Sequence, residues 1–267
     1  MGGDMTGDPR FSRTRLLVGT EGVEKLQGAF AAVFGIGGVG SYALEALARA
    51  GIGHLLVVDC DRVDPSNINR QLLALDSTVG RPKTEAAVER IRLINPEARV
   101  DECRELITPD NVRALIPPGL GYAVDAIDTL DAKVALILAL RERGIPFVSC
   151  MGAARRINPR GVRVDDIGRT SGCPLARLVR KRLRQEGIEK GVRCVYTSEP
   201  QLTSLPGEES PGDHPGDAPA LLRKGPLGSL SYLPGIMGLT AAGEIIKDIL
   251  EKKGLPDAAI SLDKAPG

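Results

Sequence analysis

The fold is decided by residues 29–40, which read AFAAVFGIGGVG. An apolar run, Ala29–Phe34, leads into glycines at positions 35, 37 and 40 in the pattern G-x-G-x-x-G, and an alanine-rich segment follows from Ser41. This order predicts a strand, a tight turn and a helix. Glycine lets the backbone turn sharply and approach a phosphate group, whose charge then faces the N–H groups at the helix start. The stretch therefore predicts the first unit of a Rossmann-like α/β fold.

The next strand and two cations indicate which nucleotide is bound. The apolar run His54–Val58 ends in Asp59, close to the spacing at which an acid accepts hydrogen bonds from a ribose. Arg70 and Lys83 follow, in the region where a doubly wound fold places its ligand. The pyrophosphate of NAD carries about two negative charges and can be held by backbone amides, whereas ATP carries about four and needs fixed cations and usually a metal. The sequence therefore favours ATP.

Strand and helix signals alternate beyond this point, which predicts a doubly wound, mostly parallel sheet with helices on both faces, a C-terminal extension and a closing helix. Further helices are expected at residues 83–94, 109–115, 130–143 and 174–185, and further strands at 99–103, 122–127, 146–151, 163–167 and 192–197. We expect a single domain over residues 1–267, with an ATP-binding core at about 10–152, a substrate-side extension at about 153–199, a mobile loop at about 200–226 and a closing helix at about 235–253.

Composition excludes several classes of protein. The net charge of +1 gives no global sign of nucleic-acid binding, so any RNA contact must be a local patch. The five cysteines are odd in number and form no C-x-x-C pair, so they do not describe a disulfide framework. The chain start lacks the pattern of a signal peptide, and no apolar run approaches the ~18 residues of a membrane span. We expect a cytoplasmic protein without membrane contact.

A basic helix is predicted in the second half of the chain. Its cations at spacings i, i+3, i+4 and i+7 share one face, opposite an apolar face, and they are Arg177, Arg180, Lys181 and Arg184. Such a face is either the solvated side of a packed helix or a stripe that binds RNA phosphates, and both interpretations stay open. An aromatic content of 3% leaves few residues for base stacking, so RNA recognition would depend on backbone charge and a base pocket.

Six short motifs, in order along the chain, resemble the signatures of the ubiquitin-activating-like adenylating enzymes. They are Arg10-Phe11-Ser12-Arg13, the glycine loop at 35–40, Asp59-Cys60-Asp61, Ser66-Asn67-Ile68-Asn69-Arg70-Gln71, Gly80-Arg81-Pro82-Lys83 and Asp125-Ala126-Ile127-Asp128. Two later motifs, Cys173–Arg177 and Cys194–Glu199, are similar to the branch of tRNA threonylcarbamoyladenosine dehydratases.

The resemblance implies a site for ATP and Mg²⁺ and gives each residue a role. Arg13, Arg70, Lys83 and Asp128 would be catalytic, with Asp128 holding the metal and Arg13 reaching the ATP of a partner in a homodimer. From the sequence alone, Asp128 is otherwise a helix cap, Arg13 a solvated arginine, and Asp125 structural. The implied ATP contacts are Gly35, Gly37, Gly38, Gly40, Asp59, Asp61, Ser66, Asn67, Asn69, Arg70, Lys83, Asp128 and Thr129.

The implied activity is ATP-dependent dehydration and cyclisation of threonylcarbamoyladenosine in tRNA through an acyl-adenylate. The resemblance also admits a sulfur-acceptor or desulfurase-type protein as a partner. The main alternative is an adenylyltransferase that activates the C-terminal glycine of a ubiquitin-like or sulfur-carrier protein. The basic helix and the missing C-x-x-C pairs of a zinc site count against it. An NAD-dependent oxidoreductase is disfavoured by Arg70 and Lys83, and a non-catalytic nucleotide sensor by the completeness of the site.

Overall fold

The computed structural model describes residues 8–202 and 227–251. Of the predicted mobile loop, residues 203–226 lie outside this part, as do the last two residues of the predicted closing helix. Seven strands are present among the described residues: β1 Phe30–Phe34, β2 His54–Val58, β3 Arg99–Cys103, β4 Tyr122–Asp125, β5 Phe147–Cys150, β6 Val162–Asp166 and β7 Arg193–Thr197. The helices are α1 Ser12–Gln27, α2 Gly40–Ala50, α3 Lys83–Ile94, α4 Leu130–Glu142, α5 Pro174–Gln185 and α6 Tyr232–Glu251.

The strands form one twisted sheet in the order β3-β2-β1-β4-β5-β7-β6. All neighbours run parallel except β6 and β7, which pair antiparallel from Val162 against Thr197 to Asp166 against Arg193. The order of strands reverses at β1, since β2 lies on one side of it and β4 on the other. A doubly wound sheet binds its ligand at this switch point, outside the carboxyl ends of the strands. The predicted mostly parallel α/β fold is confirmed.

The core lies on both faces of the sheet, because successive strand residues point to opposite sides. In β1, Val33 packs on the face covered by α2 and α6, whereas Phe34 packs on the face covered by α4 and α5. Burial on both faces explains why β1 and β2 are continuous apolar runs rather than alternating ones. The two covered faces leave only the ends of the strands open to a ligand.

Helix α1 was not predicted, and it is bent at Gly19, whose φ of 75° and ψ of 176° lie outside the helical region. Both ends of α1 lie at the amino edge of the sheet. At its start, the Phe11 ring lies 3.1 Å from the position that a Cβ would take at Gly51, just before β2. At its end, the carbonyl of Leu26 accepts a hydrogen bond from Gly53 N at 3.3 Å.

Two predicted helix boundaries differ from the structure. Residues 109–115 form successive turns, so the helix predicted there is wrong. Thr108 does cap these turns, since Asn111 N donates to its Oγ1 at 3.3 Å, but Pro117 and Pro118 stop the segment from extending. The closing helix begins at Tyr232, three residues earlier than predicted, because Pro234 falls in its first turn, where proline is tolerated.

Candidate nucleotide-binding site

The glycine loop follows β1 at the switch point of the sheet. Gly35 has a φ of +81°, and a Cβ there would lie 2.9 Å from the carbonyl oxygen of Ala126. A Cβ at Gly40 would lie 1.8 Å from the carbonyl oxygen of Gly35, so this position also requires glycine. Helix α2 begins at Gly40, and no side chain caps its start. The loop therefore presents uncapped N–H groups to an anion, as predicted from its sequence.

Asp59 and Lys83 meet beside the glycine loop. The Asp59 carboxylate accepts hydrogen bonds from Ile36 N and Asp61 N, each at 2.8 Å. Burial raises the pKa of Asp59, although the nearby ammonium of Lys83 opposes this change. Lys83, the first residue of α3, is buried, and its Nζ lies 2.7 Å from Asp61 Oδ2 and 4.0 Å from Asp59 Oδ1. Asp61 therefore acts as the counter-ion of Lys83 in this structure.

The segment 66–71 packs against the glycine loop at Gly38. A Cβ at Gly38 would lie 3.6 Å from Arg70 Cγ. The Arg70 guanidinium donates from Nη1 to the Ser66 carbonyl at 2.7 Å and to Asn69 Oδ1 at 2.9 Å. Asn69 in turn donates from Nδ2 to the Ser229 carbonyl at 3.1 Å. Asn69 thus holds Arg70 and the segment before α6 together, and no hydrogen bond from the described residues engages the other nitrogens of Arg70.

A short turn, Pro65–Asn67, overlaps the start of the segment 66–71, and Asp64 caps this turn. Ser66 N donates to Asp64 Oδ1 at 2.8 Å, and Asp64 N donates to the Oδ1 of Asn67 at 3.2 Å. Asn67 is buried, so its side chain supports the turn from below, whereas Ser66 is exposed. Of these two predicted ATP contacts, only Ser66 presents its side chain to solvent.

Asp128 lies at the carboxyl end of β4, next to the glycine loop. The N-cap of α4 is Thr129, so Asp128 does not cap the helix. Both residues are exposed, and no hydrogen bond or ion pair engages either side chain among the described residues. An unpaired carboxylate at this edge is free to bind a cation, which agrees with the metal role that the resemblance implies.

A buried ion pair supports the turn that carries Asp128. Lys133 Nζ lies 2.8 Å from Asp125 Oδ2 and also donates to the Cys150 carbonyl at 2.9 Å. Ser149 Oγ donates to the same Asp125 oxygen at 2.6 Å, and Asp125 Oδ1 accepts from Ile127 N at 3.1 Å. The structural role predicted for Asp125 agrees with these contacts. No role was predicted for Lys133 from the sequence, although a lysine among the apolar residues of α4 indicates a buried ammonium that needs an acidic partner.

Arg13 lies far from the glycine loop of its own chain. It is exposed and stands two residues after Phe11, which packs at Gly51 on the amino edge of the sheet. The five residues of β2 separate that edge from Asp59, a span of roughly 16 Å at ~3.3 Å per residue. Arg13 therefore lies near the opposite edge of the sheet from Arg70, Lys83 and Asp128, which the structure brings together beside the glycine loop.

The basic face of α5 is smaller than predicted. Arg177, Lys181 and Arg184 are exposed, but Arg180 is half-buried. Its Nη1 donates to the Thr170 carbonyl at 2.8 Å and to Thr170 Oγ1 at 2.6 Å. The prediction that all four form one free face is wrong at Arg180, because the loop before α5 folds back and presents unpaired acceptors that the sequence does not reveal.

The cysteines do not form a reactive group. Cys150, Cys173 and Cys194 are buried, and burial raises the pKa of Cys150 to about 12. Cys60 is exposed, but desolvation and the charges of Asp61 and Asp59 raise its pKa as well. Asp59, Cys60 and Asp61 are spaced closely enough to hold a metal, yet these carboxylates are already engaged by backbone amides and Lys83.

The fold and the residues around the glycine loop are those of a nucleotide site of the adenylating-enzyme type. Comparison with known protein families agrees with this class. The profile of the ThiF family matches residues 11–263, and the chain belongs to this family. It is 41% identical over 244 residues to the tRNA threonylcarbamoyladenosine dehydratase of Bacillus subtilis (strain 168), covering 91% of this chain and 95% of that protein.

Two solved structures have the same fold. The E. coli tRNA N6-threonylcarbamoyladenosine dehydratase in complex with ATP superposes with a TM-score of 0.80 at 37% identity, covering 91% of this chain and 94% of that one. Its complex with AMP gives a TM-score of 0.81 at 35% identity, covering 94% and 98%. In the part of this chain that the structure describes, no helix has the length and apolar character needed to cross a membrane.

Proposed function

We propose that this protein uses ATP to dehydrate and cyclise the threonylcarbamoyl group of threonylcarbamoyladenosine in tRNA. The observation that carries the proposal is the convergence of Arg70, Lys83 and Asp128 on the glycine loop, in a chain that aligns over almost its whole length with a relative of that activity. Two fixed cations and a free carboxylate suit a triphosphate with its metal, and exceed what a dinucleotide needs.

The chemistry explains why ATP is required. A carboxylate is a poor electrophile, because its leaving group would be oxide. In the proposed reaction the threonylcarbamoyl carboxylate attacks the α-phosphorus of ATP, the bond to the β-phosphate oxygen breaks, and pyrophosphate leaves. An internal nucleophile of the carbamoyl group then attacks the activated carbonyl, loses its proton to solvent and expels AMP. The oxygen removed from the carboxylate leaves on AMP, so the net change is the loss of one water from the nucleoside.

The residues of this chain would stabilise the departing charge. Lys83 is positioned by Asp61 and Asp59 before any nucleotide binds, and a triphosphate would compete with the exposed Asp61 for it. Arg70 is oriented by Ser66 and Asn69 and needs little reorganisation to meet a phosphate oxygen. Asp59 would accept the ribose hydroxyls with the lone pairs that Ile36 N and Asp61 N leave free.

The site also fits Mg²⁺. This ion usually keeps several waters and binds to one or two carboxylates together with substrate phosphates, and Asp128 offers an exposed carboxylate of that kind. When bound, Mg²⁺ would neutralise charge on the phosphates. Asp128 would fix the ion beside the glycine loop, and the Asp125–Lys133 pair would keep the turn in place.

A homodimer would complete the site with an arginine from a second copy. Arg13 lies at the amino edge of its own sheet, and the neighbouring Leu16 and Leu17 are 86% and 84% exposed. Large apolar side chains at such exposure are typical of a surface that is covered in an assembly. We propose that α1 packs against a second copy and carries Arg13 to that copy's ATP, where it would act on developing phosphate charge.

We propose that the exposed cations of α5 contact tRNA phosphates. The proposed location of the protein is the cytoplasm. This surface belongs to the proposed substrate-side extension at about 153–199, beside the ATP-binding core at about 10–152. The exposed members, Arg177, Lys181 and Arg184, leave the opposite side of α5 to pack on the core through Val179 and Leu183. An adenylyltransferase that activates the C-terminal glycine of a carrier protein would not need these exposed cations.

A direct assay tests the function. Purified protein is incubated with MgATP and tRNA that carries threonylcarbamoyladenosine, and the digested nucleosides are analysed by mass spectrometry. We expect a product lighter by one water and an equal amount of AMP, both abolished in Lys83→Ala and kept in Lys190→Ala, an exposed lysine away from the site. AMP formation that requires a carrier protein with a C-terminal glycine, and ignores tRNA, would favour the alternative adenylyltransferase.

A further inference from the structure

Tyr232 is the one exposed aromatic side chain of the protein. The chain has four phenylalanines, four tyrosines and no tryptophan, and all eight aromatic residues lie in the described part. Seven are buried or half-buried, whereas Tyr232 is 38% exposed. A tyrosine that keeps part of its ring exposed while its hydroxyl is bonded offers a surface on which a flat ligand can stack.

The ring is fixed in place by its neighbours. Tyr232 is the first residue of α6, and its hydroxyl donates a hydrogen bond to the carbonyl of Ile157. The side chains of Ile157 and Leu230 are 50% and 48% exposed. These three residues, Ile157, Leu230 and Tyr232, form a small surface that we call the apolar platform. The hydroxyl anchor restricts the ring, so little entropy is lost when a flat ligand stacks on it.

The apolar platform lies beside the candidate nucleotide site. Two residues after Tyr232, Pro234 Cβ lies 3.3 Å from the position that a Cβ would take at Gly38 in the glycine loop. Three residues before it, the carbonyl of Ser229 accepts the hydrogen bond from Asn69, which also holds Arg70. A ligand on the platform would therefore stand next to the phosphates of bound ATP.

Charged residues of both signs lie near the apolar platform, and the carboxylate of Glu199 accepts hydrogen bonds from the backbone N–H groups of Ile157 and Asn158. Arg155 precedes Ile157 by two residues, and its backbone N–H donates to the Gly228 carbonyl at 2.8 Å, which places it against the segment that leads to Tyr232. Arg160 follows Ile157 and is exposed. An exposed aromatic ring suits an unpaired base, which stacks on the ring face, and the exposed Arg160 three residues after Ile157 adds a cation for the phosphates of such a strand.

We infer that the apolar platform binds an unpaired base of the substrate RNA loop by stacking on Tyr232, and so holds the group to be activated over the nucleotide site. This inference rests on the proposed function and names the subsite that such a substrate requires. The stacked base adds an interaction that does not depend on charge, while the exposed cations of α5 contact phosphates.

Substitution tests the role of the ring. We expect Tyr232→Leu to weaken binding of an anticodon stem-loop RNA by about 5-fold or more, since stacking contributes ~1–3 kcal/mol per base. Tyr232→Phe, which keeps the ring, should retain most of the affinity. Leu239→Ala, at an exposed position of the same helix, should bind like the wild type. ATP affinity should be unchanged in all variants, and thermal unfolding should shift to a similar small extent in Tyr232→Leu and Tyr232→Phe, because both lose the hydroxyl bond to Ile157. Wild-type RNA affinity in a folded Tyr232→Leu protein would overturn the inference.

Fluorescence gives a second, independent readout. Because the chain has no tryptophan, Tyr232→Trp introduces a single indole at the platform. Stacking of a base should quench its emission as the stem-loop is titrated, with a midpoint that matches the binding constant. Saturable RNA binding without quenching would overturn the platform while leaving the proposed function intact. If wild-type protein neither binds the stem-loop nor converts its modified nucleoside, the proposed function fails with it.

Discussion

The Lys133 ammonium lies 2.8 Å from the Asp125 carboxylate, and neither side chain is exposed to solvent. The pair connects α4 to the end of β4, and Asp125 also receives the N–H of Ile127 in the turn that carries Asp128. A buried ion pair is weak evidence for stability by itself, but removing one member leaves an uncompensated charge. The position of Asp128 therefore depends on an interaction inside the core.

Lys133→Met should lower the free energy of unfolding by about 3–5 kcal/mol, because Asp125 then stays buried without a counter-ion. Urea denaturation measures the change. Lys181→Met, at an exposed lysine, should alter stability by less than about 0.5 kcal/mol. Combining Lys133→Met with Asp125→Asn should recover part of the loss, and a single variant as stable as the wild type would show that Asp125 does not need this partner.

Asp128→Asn should raise the Mg²⁺ concentration needed for half-maximal AMP formation by about 10-fold or more, since a neutral amide is a poorer ligand for the ion. Thermal unfolding should be unchanged, because the Asp128 side chain makes no capping bond to α4, whose N-cap position is Thr129. The matched control is Asp131→Asn, an exposed aspartate one turn further along. If the magnesium dependence of Asp128→Asn equals that of the control, Asp128 is not a metal ligand.

Mixing inactive Arg13→Ala and Asp128→Ala chains should restore activity. In a homodimer that shares sites, half of the random pairs are mixed, and each mixed pair has one site with an intact Asp128 and a partner's Arg13. We expect about a quarter of wild-type activity after subunit exchange, measured as AMP release. Exchange confirmed by native mass spectrometry without any recovered activity would mean that Arg13 does not act across the dimer.

Neutralising the exposed cations of α5 should change how salt affects tRNA binding. Arg177→Gln, Lys181→Gln and Arg184→Gln should each lower the magnitude of the salt slope by roughly 0.7–0.9, without altering ATP affinity, because each removes one cation from the RNA phosphates. Arg180→Leu should instead leave the slope unchanged and lower stability by about 1–3 kcal/mol, because Thr170 is deprived of a charged donor. A triple variant with the wild-type slope would identify α5 as a solvated surface only.

A pH-dependent contribution to stability is expected from Glu45 in α2, whose carboxylate accepts hydrogen bonds from Arg90 in α3 at 2.6 Å and 3.1 Å. Burial raises the pKa of Glu45, but the hydrogen bonds from Arg90 and Arg49 outweigh burial, so the pKa is lower than its ordinary value of 4.5. The folded state therefore favours the carboxylate, and this stabilisation is complete above the ordinary pKa and lost as the pH falls through the lower folded value.

Glu45→Gln should accordingly be less stable than the wild type by about 1 kcal/mol at neutral pH, with a difference that shrinks near pH 3. Thermal unfolding at the two pH values measures it. Glu21→Gln, which removes an exposed i, i+4 pair with Lys25, is the control and should have little effect at either pH. An equal loss for Glu45→Gln at both pH values would assign the effect to packing rather than charge.

The sequence predicts local features of this protein better than distant ones. The strand, turn and helix around Gly35 and Gly40 follow from local backbone requirements, and Asp59 follows from its distance to the loop. The engagement of Arg180 could not be predicted, because the Thr170 acceptors reach it only through the fold of the preceding loop. Lys133 was missed for a similar reason, since its partner Asp125 belongs to another element. Helix α1 was missed because its apolar residues follow no clear stripe and Gly19 interrupts it.

The bend at Gly19 lies in α1, the helix that carries Arg13 and is proposed to pack against a second copy, and it lies outside the sheet and the nucleotide loops. A Cβ at this position would meet nothing within 4 Å, so a larger residue is opposed only by the backbone, whose φ of 75° and ψ of 176° lie in a region that essentially only glycine adopts, at a cost of about 1–3 kcal/mol. The backbone at Gly19 and the packing of Phe11 at Gly51 together set the direction of residues 12–18, including Arg13. If the chain pairs through α1 as proposed, a substitution at this bend would change how Arg13 is presented to the second copy without altering any residue that is proposed to contact ATP.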